Sequence, residues 1–194
     1  MTFSDTEWMI AIGVAVLVVI ALAALVGARV RRHRHAELRA RFGPEYDREV
    51  EERGSVARAE RELLARERRV HSRPLHPLSE AERVQFSSEF RTVQARFVDD
   101  PSGAVTAADD LIKRVMLARG YEIERFDQRV ADLSVEHAAV VQHYRAAHEL
   151  AAANREGRAN TEELRQAVVH YRALFADMLA SAEVPAGTIE HARA

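Results

Sequence analysis

SEAERVQFSSEFRTVQARFVDDP, residues 79–101, holds the start, the buried face and the end of one helix. Ser79 and Glu82 have the spacing of a capping box, in which each side chain bonds the backbone N–H of the other residue. The large apolar residues recur at spacings of four, three and four, which places them on one helical face: Phe86, Phe90, Val93 and Phe97. Because Pro101 disfavours helical backbone at the residue before it, the stretch predicts an amphipathic helix that ends near Asp100.

The chain beyond this stretch repeats the same combination of helical periodicity and glycine breaks. A second helix is predicted over 102–119, a long third helix from Ser134 to Gly157, and a fourth that begins after Asn160. No stretch shows sustained alternation of β-branched residues, so strands are not expected. These patterns predict an all-α fold with an antiparallel bundle of about four helices over residues 79–182.

Residues 8–28, WMIAIGVAVLVVIALAALVGA, form a run of twenty-one residues without a charge. As a helix the run would span roughly 32 Å, close to the hydrocarbon thickness of about 30 Å, which predicts a transmembrane helix. No cation precedes it, so the positive-inside rule predicts residues 1–7 outside a single-pass cell-membrane protein with a cytoplasmic C-terminal domain. Six arginines follow the run: Arg29, Arg31, Arg32, Arg34, Arg39 and Arg41. Cleavage after 26–28 would instead give a secreted or periplasmic helical protein.

Residues 29–71 are predicted to form basic juxtamembrane and spacer helices. Residues 29–73 contain fourteen arginines and nine acidic residues, a net charge of +5, whereas 74–194 carry a net charge of −5. The six arginines next to the apolar run either bind anionic lipid headgroups or only fix the topology. Glu49–Arg53 and Glu62–Arg66 have the favourable i,i+4 order for ion pairs on a helix.

Val56, Leu63 and Val70 recur at seven-residue spacing. The repeat covers fewer than three heptads, so a solvated spacer helix is favoured over a short coiled coil. Residues 72–78, SRPLHPL, read as a proline-rich linker or an extended packing strap, and 183–194 as a flexible tail.

The chain lacks the usual signatures of catalysis and cofactor binding. It contains no cysteine, which excludes disulfides, thiolate metal sites and cysteine nucleophiles. Glycine-rich phosphate loops, the nucleophile elbow and HExxH or Glu-x-x-His metal motifs are absent from the sequence. The basic segment lacks the interleaved aromatics of a nucleic-acid site. Neither an enzyme nor a catalytic, cofactor or metal residue is therefore predicted, and no nucleic-acid partner is expected.

Two tetrapeptides of identical sequence, His143–Ala146 and His170–Ala173, lie on the last two predicted helices. The sites of interest are the two histidines and the two tyrosines: His143, Tyr144, His170 and Tyr171. In one interpretation they line a polar pocket that binds a metal or moves protons. In the other, which is favoured, the tyrosines pack in the core with their hydroxyls at the rim and the histidines lie at the edge.

Several stretches together resemble an uncharacterised family of bacterial single-pass membrane-anchored proteins, over about residues 29–180. They read FGPEYDR from Phe42, RPL from Arg73, QARFVDDP from Gln94, RGY from Arg119, LSVEH from Leu133 and TEELRQ from Thr161. The resemblance implies a bacterial origin and a shared domain, and it supplies no catalytic residue.

The leading functional prediction is a membrane-anchored protein that presents a cytoplasmic helical bundle for protein interaction or scaffolding. Its partners would be the lipid bilayer and an unknown protein, and homo-oligomerisation stays open. The alternatives are a ligand-binding or enzymatic bundle that uses the two histidines and tyrosines, and a secreted or periplasmic helical protein.

Overall fold

The structure is a computed structural model that describes the backbone of residues 5–180 and the side chains of 13, 15 and 17–180. This part of the chain is all-α. Its eight helices are α1 (Asp5–Phe42), α2 (Pro44–Arg53), α3 (Val56–His71), α4 (Glu80–Arg96), α5 (Pro101–Ala118), α6 (Phe126–Glu136), α7 (Val141–Arg155) and α8 (Thr161–Ala180). The chain divides into two compact units, one ending at Arg41 and the other beginning at Phe42.

The prediction of a transmembrane helix over residues 8–28 is corrected by the structure. Among the described residues, no helix combines the length and the apolar character that crossing a membrane requires. The side chains of 8–12, 14 and 16 lie outside the described part. The predicted cell-membrane localisation depended on this helix and is corrected with it.

The unit that begins at Phe42 starts with a hairpin of α2 and α3. Pro44 occupies the first turn of α2, and Gly54 ends the helix with a left-handed φ of 62°. Leu63 and Val70 of the heptad spacing are buried, whereas Val56 is 43% exposed. The α3 helix packs against α6, so the α2–α3 hairpin belongs to the same compact unit as the later helices.

The main core forms where α5 and α8 pack against each other and against α4 and α7. The predicted capping box of α4 is present, with Ser79 and Glu82 each bonding the other's backbone N–H. Phe86, Phe90 and Val93 are buried, and Phe90 stacks on Phe175 with ring centroids 4.5 Å apart. The predicted apolar face of α4 therefore covers the bundle.

Residues 72–79 run as an extended strap across the C-terminal end of α5. The backbone N–H of His76 donates to the Arg119 carbonyl at 3.0 Å. Gly120 has a φ of 90°, and a Cβ at this position would lie 2.9 Å from the Pro74 carbonyl oxygen. Leu78, at the end of the strap, is buried. The sequence SRPLHPL therefore packs against the bundle.

One predicted helix boundary is wrong. Ser134 does not begin the long helix but lies inside α6, and its hydroxyl donates to the Ala131 carbonyl at 2.7 Å. The helix α7 begins at Val141. Residues 1–4 of the predicted N-terminal segment and the predicted tail, 183–194, lie outside the described residues.

Candidate functional site

The two predicted site histidines meet between α7 and α8. The Nδ1 atoms of His143 and His170 are 2.9 Å apart, and their ring centroids are 5.1 Å apart. A hydrogen bond at this distance requires one Nδ1 to carry a proton and the other to accept it. Both residues are half-buried. Burial, and then the neighbouring His143, lowers the pKa of His170.

The two predicted site tyrosines lie deeper in the same interface, and both are fully buried. The Tyr171 hydroxyl donates to Asp109 Oδ1 at 2.9 Å, and Lys113 Nζ lies 2.7 Å from Asp109 Oδ2. The Tyr144 hydroxyl accepts from Arg129 Nε at 2.9 Å. Burial raises the pKa of both tyrosines, so both stay neutral and serve as hydrogen-bonding groups of the core.

The structure thus brings the four predicted residues to one helix pair and divides them into two layers. The tyrosine hydroxyls are engaged inside the core, beside the buried carboxylate of Asp109. The histidine pair lies at the half-buried edge. This arrangement has core tyrosines and edge histidines, but the tyrosine hydroxyls are buried and do not reach the rim.

A third histidine, His148, stacks on Phe126 with ring centroids 3.7 Å apart. Its Nδ1 is buried and has no hydrogen-bond partner among the described residues. Burial lowers the pKa of His148, so the ring is held neutral against Phe126.

A second buried polar cluster joins the ends of α5, α6 and α8 around His137. Arg119 Nη1 donates to His137 Nε2 at 3.0 Å, so the proton of the neutral ring lies on Nδ1, which donates to Asp177. The Tyr121 hydroxyl donates to Glu136 Oε2 at 2.9 Å. Because Arg119 also donates to the Met178 carbonyl, this cluster fixes the packing of the helix ends.

Buried carboxylates also attach the α2–α3 hairpin to α6 and α7. Glu45 is 1% exposed and accepts from Arg145 of α7 at 2.8 Å. Asp132 of α6 accepts from Arg69 Nε at 3.0 Å and from Arg73 Nη1 at 3.2 Å. We refer to these ion pairs as the hairpin clasp.

Sequence reasoning missed the His137 cluster and the hairpin clasp. One signal for the cluster was present, because Arg119, Tyr121, Glu136 and His137 all fall in the RGY and LSVEH stretches that carry the family resemblance. The arginines predicted to lie at a membrane surface are all exposed on α1: Arg29, Arg31, Arg32, Arg34, Arg39 and Arg41. The described residues include no group of three or more histidine and acidic side chains that could hold a metal ion.

The chain matches no family model, no curated protein and no solved structure. The resemblance to a family of bacterial membrane-anchored proteins therefore stays a prediction.

Proposed function

We propose that the helical unit that begins at Phe42 is a protein-interaction or scaffolding domain. The proposal rests on one observation: the reactive side chains of this unit form hydrogen bonds with each other inside the core. Asp109 and Tyr171 bond each other inside the core, and Arg129 donates to Tyr144. These aspartate, tyrosine and arginine side chains could in principle act in acid–base chemistry or bind a ligand, but here they bond each other and hold the helices together.

Buried ion pairs and hydrogen bonds support a fixed arrangement of helices, because breaking one leaves a polar group without a partner in a medium of low polarity. The clasp adds the α2–α3 hairpin to that arrangement through Glu45 and Asp132. A fixed bundle of this kind recognises a partner with the outer faces of its helices.

Photocrosslinking from exposed positions tests this proposal. We would place a photoreactive amino acid in the full chain at Val98, Val169 or Val84, which are 84%, 42% and 58% exposed. The expected result is one discrete protein adduct from a subset of the positions, competed away by excess unlabelled chain. Aspartate at the same position should abolish the adduct while the far-UV circular dichroism stays unchanged. No adduct from any position, or adducts that excess chain does not compete, would refute the proposal.

A second candidate function, ligand binding between α7 and α8, is favoured by one specific observation. The Nδ1 atoms of the two histidines lie 2.9 Å apart at the half-buried edge of this helix pair.

A further inference from the structure

We propose that His143 and His170 form a two-histidine chelate for a divalent transition-metal ion, with Cu²⁺ as the best-fitting member of the class. This site would be an instance of the second candidate function, ligand binding between α7 and α8. It does not depend on the proposed protein-interaction role. It rests on the geometry of the pair, which the two adjacent helices α7 and α8 provide.

The distance between the two nitrogens matches a metal with square coordination. Metal–imidazole bonds are about 2.0–2.1 Å long. Two such bonds at a right angle place the nitrogens about 2.9 Å apart, whereas a tetrahedral angle places them about 3.4 Å apart. The Nδ1 atoms of His143 and His170 are 2.9 Å apart. Square-planar or tetragonal nitrogen sites are characteristic of Cu²⁺ and Ni²⁺.

Metal binding requires a change of tautomer in one ring and a rotation of both rings, because in the hydrogen bond the two Nδ1 atoms face each other and not a shared metal position. In the pair, one imidazole donates its Nδ1 proton and the other already accepts through an Nδ1 lone pair. The donor ring moves its proton to Nε2 through solvent, which reaches the half-buried rings. Both Nδ1 lone pairs are then free for the metal.

The surroundings of the pair suit a hydrated cation. Both rings are half-buried, so solvent reaches the pair and can supply further ligands. A cation at this position would therefore be bound by two imidazoles and complete its coordination with water.

The test is a titration of purified, tag-free, metal-free full chain with CuCl₂, followed by calorimetry and by electron paramagnetic resonance. We expect one Cu²⁺ per chain at this site, with two imidazole nitrogens in the equatorial plane. The variants His143→Asn and His170→Asn should each weaken binding at least tenfold. The matched control is His71→Asn, which changes an exposed histidine on α3 and should leave the affinity unchanged. Zn²⁺ and Ni²⁺ are titrated in parallel, and both should bind more weakly than Cu²⁺.

Thermal unfolding gives a second readout. At a Cu²⁺ concentration about one hundred times the dissociation constant, the melting temperature should rise by about 5–10 °C, and neither asparagine variant should show the rise. Circular dichroism of the metal-free variants checks that they fold, and His143→Gln and His170→Gln replace any variant that does not. Binding that survives both substitutions, or a spectrum with fewer than two imidazole nitrogens, would overturn the proposal.

Discussion

Replacing Tyr171 by phenylalanine isolates the hydrogen bond between the α8 tyrosine and the buried carboxylate of α5. The substitution removes only the hydroxyl, which donates to Asp109 Oδ1 at 2.9 Å. Lys113 continues to pair with the other carboxylate oxygen at 2.7 Å. The Asp109 side chain is 5% exposed, so water replaces the lost donor poorly. We therefore expect a measurable loss of stability from a change of one oxygen atom.

Hydrogen bonds to charged groups contribute about 1.5–3 kcal/mol, and an unsatisfied buried acceptor adds to the loss. The expected decrease in the free energy of unfolding is about 2 kcal/mol, or about 6 °C in melting temperature for a unit of this size. Tyr121→Phe is the matched control, because its hydroxyl donates to Glu136 at the same distance of 2.9 Å. The Glu136 side chain is 29% exposed, so water takes the vacant place and the loss stays below about 1 kcal/mol.

Both variants are compared with the unchanged chain by urea unfolding, monitored by circular dichroism at 222 nm and fitted with a common m-value. A loss for Tyr171→Phe that is no larger than the loss for Tyr121→Phe would refute the reasoning, since the two changes differ mainly in the exposure of the acceptor.

Three further substitutions have defined outcomes. Gly120→Ala should lower the unfolding free energy by more than about 1 kcal/mol, because φ is 90° and the added Cβ meets the Pro74 carbonyl; Gly157→Ala, with φ of 67° and open space, should cost less in the same urea assay, and equal losses would contradict the steric argument. Asp132→Asn should cost about 1–3 kcal/mol, because the amide is uncharged and its Nδ2 cannot accept, so one of the two hydrogen bonds from the arginines is lost and the other is weakened; an unchanged urea midpoint would show that the clasp is not stabilising. Burial lowers the pKa of His148, so the unfolded chain binds its proton more readily and stability falls as the pH drops below about 6.5; His148→Phe should reduce the fall measured between pH 7 and pH 5, and equal falls would count against this assignment.

Local sequence patterns predicted α4, α5 and α8, because the signals that define these helices lie within a few residues, but they did not predict α6. Ser79 with Glu82 marked the start of α4, and Asp100 caps α5 by accepting from the Gly103 N–H at 2.8 Å. The same rules failed at Ser134, since a capping residue type also occurs inside helices, where its hydroxyl bonds a carbonyl of the preceding turn.

The charged residues of α2 and α3 show why the rest could not be predicted. Their i,i+4 spacing correctly predicted the pairs Glu49–Arg53 and Glu62–Arg66. It did not predict that Glu49 and Arg66 also contact each other in a buried position. The i,i+4 spacing also did not predict the ion pair between Glu45 and Arg145, which lie one hundred positions apart. The many charges of α2 and α3 therefore led to the prediction of a solvated helix, although tertiary contacts bury the carboxylates of Glu45 and Glu49.

The candidate site was predicted in part. The repeated tetrapeptide placed two histidines and two tyrosines on one helix pair, because helical periodicity fixes which residues share a face. The division into a buried tyrosine layer and a half-buried histidine layer depends on side-chain rotamers and on the bond from Tyr171 to Asp109. In the sequence, Asp109 is recognisable only as one of two adjacent acidic residues on a predicted helix.

The hairpin clasp also has a consequence for the order in which the chain unfolds. Its contacts join residues 59 to 100 positions apart, so the chain must close long loops before any of them forms. Its arginines are 19–31% exposed, so water competes for them when the hairpin moves. We expect α2 and α3 to behave as a separate cooperative unit that opens at lower free energy than α5 and α8. Amide hydrogen exchange should therefore be faster around Tyr46 and Leu63 than around Leu111, although all three side chains are equally buried in the folded chain.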